Sequence, residues 1–343
     1  MLCYIAAPVN ASRQTVLSGL RPTGRVHLGN YFGAIRNWAE LQDQYDCYYF
    51  IADWHALTSD YADTSRIEQA TFDAVADLIA AGLDPKRCTI FLQSAVKEHA
   101  ELHLLLSMTT PLPWLERVPT FKDQQAQLED KDLNTYGFLG YPLLQTADII
   151  IYRASYVPVG EDQASHLELS REIVRRFNNF YGDVFPEPLP LHTTAPKVPG
   201  LDGRKMSKSY GNTIGLTAGA DEIRTRVLTM FTDPNRVRRK DPGNPDICNL
   251  FQFHKLFSDE ATIARVDHEC RTAMIGCVDD KKLLAEIMIE KLRPMREQRE
   301  KIDADPSIVW DVLRDGNRKA RDRAAETMEL VRKAMKIEFR ELR

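Results

Sequence analysis

Apolar and polar positions change their period along the chain, and the change divides it. Residues 15–19, Thr-Val-Leu-Ser-Gly, form a short apolar run ending in glycine, which predicts a buried strand and a turn. From Leu28, apolar residues recur at Phe32, Ile35, Trp38 and Leu41, a helical spacing. Two further strand-like runs, 47–53 and 89–94, bracket a helical stretch over 65–82 that Gly82, Asp84 and Pro85 stop. Strand, helix, strand, helix, strand over about 80 residues predicts parallel βαβ units with right-handed crossovers. A helical stretch broken by Pro111 and Pro113, about 97–135, reads as an insertion between two halves of a sheet. An apolar helix at 140–152, a strand within 155–159 and a helix over 161–179 follow, and 183–215, rich in proline and glycine, reads as loop.

From Ala218 onward strand-like runs disappear. Helical patterns recur at about 218–230, 249–257, 260–275, 280–300 and 306–337. The last carries one apolar stripe of Val309, Val312, Leu313, Ala320, Ala324, Met328, Val331 and Met335. The expected fold is therefore α/β: a Rossmann-like, doubly wound parallel sheet over 1–217, then an α-helical domain over 218–343 whose last helix can pack back on the first domain.

Composition narrows the class. The 343 residues suffice for about two domains. With 43% hydrophobic and 27% charged residues the chain is ordinary globular protein. Its net charge of −4 provides no global field toward nucleic acid, so any such contact must come from local basic patches. No apolar run reaches about 18 residues, and the apolar start lacks a preceding basic segment, so neither a membrane span nor a signal peptide is expected. Six cysteines in a chain this long suit reduced thiols in a cytoplasmic protein.

Candidate chemistry begins at 201–216, Leu-Asp-Gly-Arg-Lys-Met-Ser-Lys-Ser-Tyr-Gly-Asn-Thr-Ile-Gly-Leu. Clustered cations and hydroxyls between Gly203 and Gly211 suit either a solvated basic loop or a seat for a phosphate chain. The turn after the first strand offers Gly19, Gly24, Gly29 and Gly33, with His27 and Asn30 three apart at a helix start and Thr23 nearby. Neither the Walker spacing nor G-x-G-x-x-G is present. His27 is either a structural helix-start residue or a phosphate donor. Asp148, in an otherwise apolar helix, is either a cap, a structural ion-pair partner, or an acceptor reserved for a ligand's donor.

The segment His-Leu-Gly-Asn, 27–30, resembles the first signature of class I aminoacyl-tRNA synthetases, and Lys-Met-Ser-Lys-Ser, 205–209, matches their second letter for letter, about 175 residues later. Residues 141–152, 157–178, 21–24, 52–58, 114–123 and 326–335 are similar to the bacterial-type tryptophanyl-tRNA synthetases. That resemblance implies activation of L-tryptophan by ATP with Mg²⁺, then transfer to tRNA(Trp), in a cytoplasmic homodimer with no membrane or DNA partner. It implies that Arg21, Pro22, Thr23, Gly29, Asn30, Gly160, Glu161, Asp162 and Val198 border ATP, and that Lys205, Met206, Ser207, Lys208 and Ser209 hold its phosphates. Lys205, Lys208, His27 and Asn30 are the candidate catalytic set, with His27 either catalytic or positioning. Asp148 would accept the indole N–H, Gln163 and Tyr141 would meet the ammonium group, and His55 and Lys122 would stand behind them. A Val-Gly-Glu-Asp-Gln stretch at 159–163, where tyrosyl-tRNA synthetases typically carry a Gly-Gly-Ser-Asp-Gln-like one, favours tryptophan over tyrosine.

Two basic runs, Arg236–Lys240 and Arg318, Lys319, Arg321 and Arg323, read either as solvated faces or as tRNA contacts, and the resemblance, in which the helical domain binds the tRNA anticodon, favours the second. Some bacterial members hold a four-cysteine iron–sulfur cluster; here Cys248, Cys270 and Cys277 are followed by Asp280 at the fourth position, which argues against a cluster and assigns no metal. The tyrosyl enzyme, a small-molecule nucleotidylyltransferase and a catalytically silent paralogue are the competing readings.

Overall fold

A computed structural model of the chain describes residues 13–118, 133–160, 164–192 and 198–339. Its first half alternates strand and helix. Strand β1 (Thr15–Leu20) turns into α1 (Leu28–Asn30), which continues through a π turn, Tyr31–Ile35, into α2 (Arg36–Leu41). Strand β2 (Asp46–Ile51) is followed by α3 (Asp53–Asp60) and α4 (Ile67–Ala80), and β3 (Cys88–Leu92) by a 3₁₀ turn, Gln93–Ala95. Next come α5 (Glu98–Ser107), α6 (Leu112–Glu116) and α7 (Tyr136–Ile151). Strand β4 (Tyr156–Val159), α8 (Ala164–Tyr181) and β5 (Leu189–His192) complete the sheet.

The five strands are parallel in the order β3-β2-β1-β4-β5, so the winding reverses between β1 and β4. Six residue pairs join β1 to β2, from Thr15 opposite Asp46 to Leu20 opposite Ile51; β1 meets β4 only at Val16 and Tyr156. Pro158 has no N–H to give, which helps to keep the two strands apart beyond that pair. Such a reversal is where open α/β sheets make their ligand crevice, at the carboxyl ends of the strands.

Alternation along the strands feeds two cores. Val16, Tyr49, Ile51 and Ile90 face one apolar cluster, and Leu17, Tyr48, Phe50 and Phe91 the other. From Ala220 on, the longer described elements are helices: α9 (Ala220–Leu228), α10 (Asn249–Phe257), α11 (Glu260–Arg271), α12 (Cys277–Ala304) and α13 (Ser307–Ala334). Helix α13 puts Val309 and Leu313 in the first cluster and Ala320, Ala324, Met328 and Val331 in the second, so it passes the sheet edge from one face to the other. There Asn317 Oδ1 accepts the Leu92 N–H of edge strand β3 at 2.8 Å, and Gly316 lies so close that a Cβ would overlap the Ile90 carbonyl oxygen.

Strand β5 corrects the loop expected over 183–215. Pro190 argues against a strand in sequence, but β5 is an edge strand and tolerates a residue that cannot donate. Among the described residues no helix is long and apolar enough to cross a membrane.

Candidate active site

A cavity of about 460 Å³ opens at the β1–β4 reversal. Arg21 and Gly19 come from the end of β1, Gly160 from the end of β4, Tyr141, Gln145 and Asp148 from α7, and His55 from α3. Asn37 closes it from the helix beyond the π turn. Two buried donors on this lining, Arg21 Nε and Asn37 Nδ2, have no hydrogen-bond partner. Buried polar atoms are nearly always paired, so unpaired donors on a cavity wall are groups available to a ligand. The other end of Arg21 is tied down: Nη2 donates to Ser59 Oγ at 2.6 Å and pairs with Asp60. A second opening, about 970 Å³, adjoins that pair and is bordered by Pro22, Thr23, Gly24, Asp60 and Ser209.

The two signature segments meet at the edge of this space. His27 caps α1: its Nδ1 accepts the Asn30 N–H at 3.3 Å, while Asn30 Oδ1 accepts the His27 N–H at 3.3 Å. Burial, with Lys208 adding to it, lowers the His27 pKa to about 4. The ring is therefore neutral at pH 7; with Nδ1 accepting, its hydrogen sits on Nε2. Backbone pairing joins the segments, Leu28 N–H to the Ile214 carbonyl and Leu216 N–H to the Val26 carbonyl, both at 2.9 Å. Met206 is buried and its sulfur takes the Gly29 N–H at 3.2 Å; a Cβ at Gly29 would press on Met206 and on the His27 ring. Lys208 Nζ donates to the Thr23 carbonyl at 2.8 Å and lies 3.3 Å from its hydroxyl.

Asn212 holds the second loop in shape. Its side chain accepts the Ser207 N–H at 2.8 Å and donates to Asp202 at 2.7 Å and to the Lys205 carbonyl at 3.2 Å. Gly203 and Gly211 have φ of 81° and 63°, left-handed values that suit glycine. Lys205, Lys208 and Ser209 stay exposed, and Val198 lies buried beneath, its carbonyl accepting the Met206 N–H.

Asp148 is fully buried, and it is not a lone acceptor. Gln93 Nε2 reaches both of its oxygens at 2.8 and 2.9 Å, His99 Nδ1 reaches Oδ1 at 2.5 Å, and His55 Nε2 reaches Oδ2 at 2.8 Å. Burial pushes its pKa up, but hydrogen bonds from His55 and His99 outweigh that and hold it at about 2. The Gln93 amide is oriented by accepting the Trp54 and His55 N–H groups at the start of α3. His99 Nδ1 carries the hydrogen toward the carboxylate, and Nε2 accepts from the Tyr152 hydroxyl at 2.7 Å. Alongside, His166 Nδ1 donates to Gln145 at 2.9 Å and Nε2 lies 3.4 Å from the Tyr141 hydroxyl. Sequence reading missed Gln93, His99, Tyr152, Gln145, His166 and Asn37. The available signal was polar side chains in apolar surroundings, as with Gln93 directly after β3. Glu161, Asp162, Gln163 and Lys122 lie outside the described residues.

The candidate basic patches have partners of their own. Arg239 pairs with Asp279, Arg318 and Lys319 with Asp315, and Arg323 with Glu326. Arg321 donates to the Ala95 carbonyl. Arg236 turns inward, with Nη1 3.8 Å from both Cys270 Sγ and Cys277 Sγ and Nη2 on the Ile275 carbonyl at 2.6 Å. A guanidinium thus stands between two sulfurs where a cluster would need iron, and Asp280 is engaged by His254 Nε2 at 3.0 Å. These residues do not fit a four-ligand metal cluster.

The sequence model of the family described as tRNA synthetases class I (W and Y) matches residues 10–293. The chain is 53% identical to a tryptophan–tRNA ligase of Thermotoga maritima over 94% of its own length and 99% of that protein. It is 42% identical to one of Aquifex aeolicus, over 94% and 99%. The structure of the Campylobacter jejuni tryptophanyl-tRNA synthetase complexed with ADP and tryptophan superposes with a TM-score of 0.87 at 34% identity, covering 94% of this chain and 99% of that one. Likeness to an Archaeoglobus fulgidus tyrosyl-tRNA synthetase is weaker, with a TM-score of 0.63 at 21% identity, and concerns the fold alone. With the family model spanning most of the chain and near-full-length relatives that are tryptophan–tRNA ligases, the chain belongs to the class I tRNA synthetases for tryptophan and tyrosine, in their tryptophan–tRNA ligase branch.

Proposed function

We propose that the β1–β4 cavity seats tryptophan and the adenosine end of ATP, with the triphosphate between the His27 turn and the Lys205–Ser209 loop. The observation that carries this reading is the contact of Lys208 with Thr23, which brings the two signature segments to one place. In the first step the tryptophan carboxylate attacks the α-phosphorus of ATP. A carboxyl oxygen–phosphorus bond forms, the bond from the α-phosphorus to the bridging oxygen breaks, and pyrophosphate leaves with that electron pair. The attacking carboxylate is already ionised near pH 7, so no general base is required. Positioning and charge stabilisation remain. Lys205 and Lys208 meet the leaving pyrophosphate, His27 offers the Nε2 hydrogen, and Asn30 holds the His27 ring. The nucleotide enters as its Mg²⁺ complex, a substrate and not a resident metal. In the second step a ribose hydroxyl at the 3′ end of tRNA(Trp) displaces AMP from the adenylate.

Tryptophan's indole N–H is a donor only, and Asp148 is an ionised acceptor on the cavity wall. With four nitrogen contacts already on that carboxylate, the indole must share or replace one. His55 is the least buried of the donors and also lines the cavity. Arg21 Nε and Asn37 Nδ2 are the free donors for the adenylate. Gly160 would border the nucleotide, and the family reading assigns the nucleotide Glu161, Asp162 and Val198 as well, and the ammonium group Gln163 and Tyr141. Residues 1–217 carry the chemistry and 218–343 recognise the tRNA. Homodimeric assembly and a cytoplasmic location come from the family reading.

Pyrophosphate–ATP exchange with each aromatic amino acid, without tRNA, tests the reading. Exchange dependent on tryptophan alone is expected. Dependence on tyrosine would overturn the pocket assignment, and no exchange in folded protein would overturn adenylate formation.

A further inference from the structure

Asp77, on α4, is fully buried, and the chemistry proposed above does not use it. One of its oxygens accepts the Val26 N–H at 2.7 Å, directly before His27. The other accepts the Thr217 hydroxyl at 3.1 Å, directly after the last backbone pair of the second signature loop, and a hydrogen from Arg299 Nη1 at 2.8 Å. Arg299, on α12, is nearly buried and also holds Asp73 at 2.6 Å and Asp303 at 2.8 Å. One carboxylate therefore ties together the strand-side entry to His27, the exit of the Lys205–Ser209 loop, and a helix more than 200 residues away in sequence. A buried ion pair of this kind is a weak source of stability and a better one of register.

We infer, on the reading of the His27 turn and the Lys205–Ser209 loop as the nucleotide's seat, that Asp77 is a positioning residue for ATP: it fixes the spacing of the two segments, and Arg299 fixes Asp77. The tryptophan pocket hangs on Asp148, Gln93 and His99, none of which touches this cluster, so the effect is specific to nucleotide.

Pyrophosphate–ATP exchange on the full chain, with KM measured separately for ATP and tryptophan, tests this. Asp77→Asn keeps the shape and removes the charge; KM for ATP is expected to rise about tenfold, as for a lost buried hydrogen bond to a charged group, with KM for tryptophan within about twofold of the parent. A merely structural role would lower the thermal midpoint and the active fraction without separating the two KM values. Thr217→Val, which removes only the hydroxyl, guards against a misfolded Asp77 variant and is expected to raise KM for ATP about threefold. An unchanged KM for ATP in the folded variants, or an equal rise for both substrates, overturns the inference. Lys208→Ala run in parallel separates the levels: normal exchange there defeats the nucleotide reading itself, whereas a crippled Lys208 variant beside an unaffected Asp77 variant defeats only the role of Asp77.

Discussion

The ammonium of Lys208 donates to the carbonyl oxygen of Thr23 at 2.8 Å, across 185 residues of sequence. A cation parked on a backbone carbonyl is held by a neutral partner that a phosphate oxygen can displace. Lys208→Ala is expected to raise the barrier to adenylate formation by about 2–4 kcal/mol, roughly 30-fold to 800-fold in rate. Tryptophan binding should survive, because Asp148 and its donors belong to other elements. Single-turnover adenylate formation beside equilibrium tryptophan binding checks both halves; near-normal turnover would remove Lys208 from the reaction.

Acid affects His27 in a defined window. Its pKa is about 4 in the folded chain against 6.5 for the free side chain, because burial and Lys208 disfavour the imidazolium. Between those values the unfolded chain binds a proton that the folded site refuses, so stability falls as pH drops from 6.5 toward 4 and is undiminished by His27 above 6.5. His27→Asn should flatten that part of the stability–pH curve. The ring itself should stay neutral from pH 8 to 5 in an NMR titration, and a midpoint near 6.5 would refute the buried, cation-facing environment.

The Tyr152–His99–Asp148 chain is open to a single-atom test. Tyr152→Phe leaves His99 Nε2 buried with no donor, and should cost about 1–3 kcal/mol in urea unfolding while raising KM for tryptophan. A variant as stable as the parent would mean that His99 finds another partner. The Asp148 carboxyl, held at about 2 against an ordinary 3.8, adds stability that is full above pH 3.8 and lost as pH falls through 2.

Gly316→Ala puts a methyl group against the Ile90 carbonyl. Helix propensity would favour alanine by about 1 kcal/mol, yet overpacking typically costs about 1–3 kcal/mol and here meets backbone, which cannot rotate away. A net loss of stability in chemical denaturation is expected, and a gain would show that α13 does not sit this close to β3.

Arg236 between Cys270 and Cys277 leads to an expectation about metal. Protein purified without oxygen should show no visible absorption band and no stoichiometric iron or zinc. A band, or bound iron that disappears on Cys270→Ser, would mean that the guanidinium gives way to a cluster.

Much of this was legible in sequence because it is local. Continuous apolar runs at 15–19, 47–53 and 89–94 have one use, as strands of a sheet covered on both faces, and Lys205–Ser209 keeps its identity as a string of letters. Asp148 was visible as a charge among isoleucines. Its companions were not: His99 is 49 residues away and Gln93 is 55, and only the packing of α5, and of the 3₁₀ turn before it, against α7 makes them neighbours. Asp77 was hidden likewise, since a carboxylate on an amphipathic helix reads as solvated until its face is known. The strand Leu189–His192 was hidden because the proline and glycine content of 183–215 reads as loop, whereas an edge strand tolerates Pro190.

The course of α13 also bears on the order in which the molecule is made. The edge of β3 is capped by Asn317 and crowded by Gly316, so the sheet that begins at residue 15 keeps an open flank until a segment near the other end of the chain has been synthesised. A nascent chain halted before that point should expose an uncapped strand edge and bind chaperones, whereas one released beyond it should not. The sheet is thus completed during translation only once α13 has emerged.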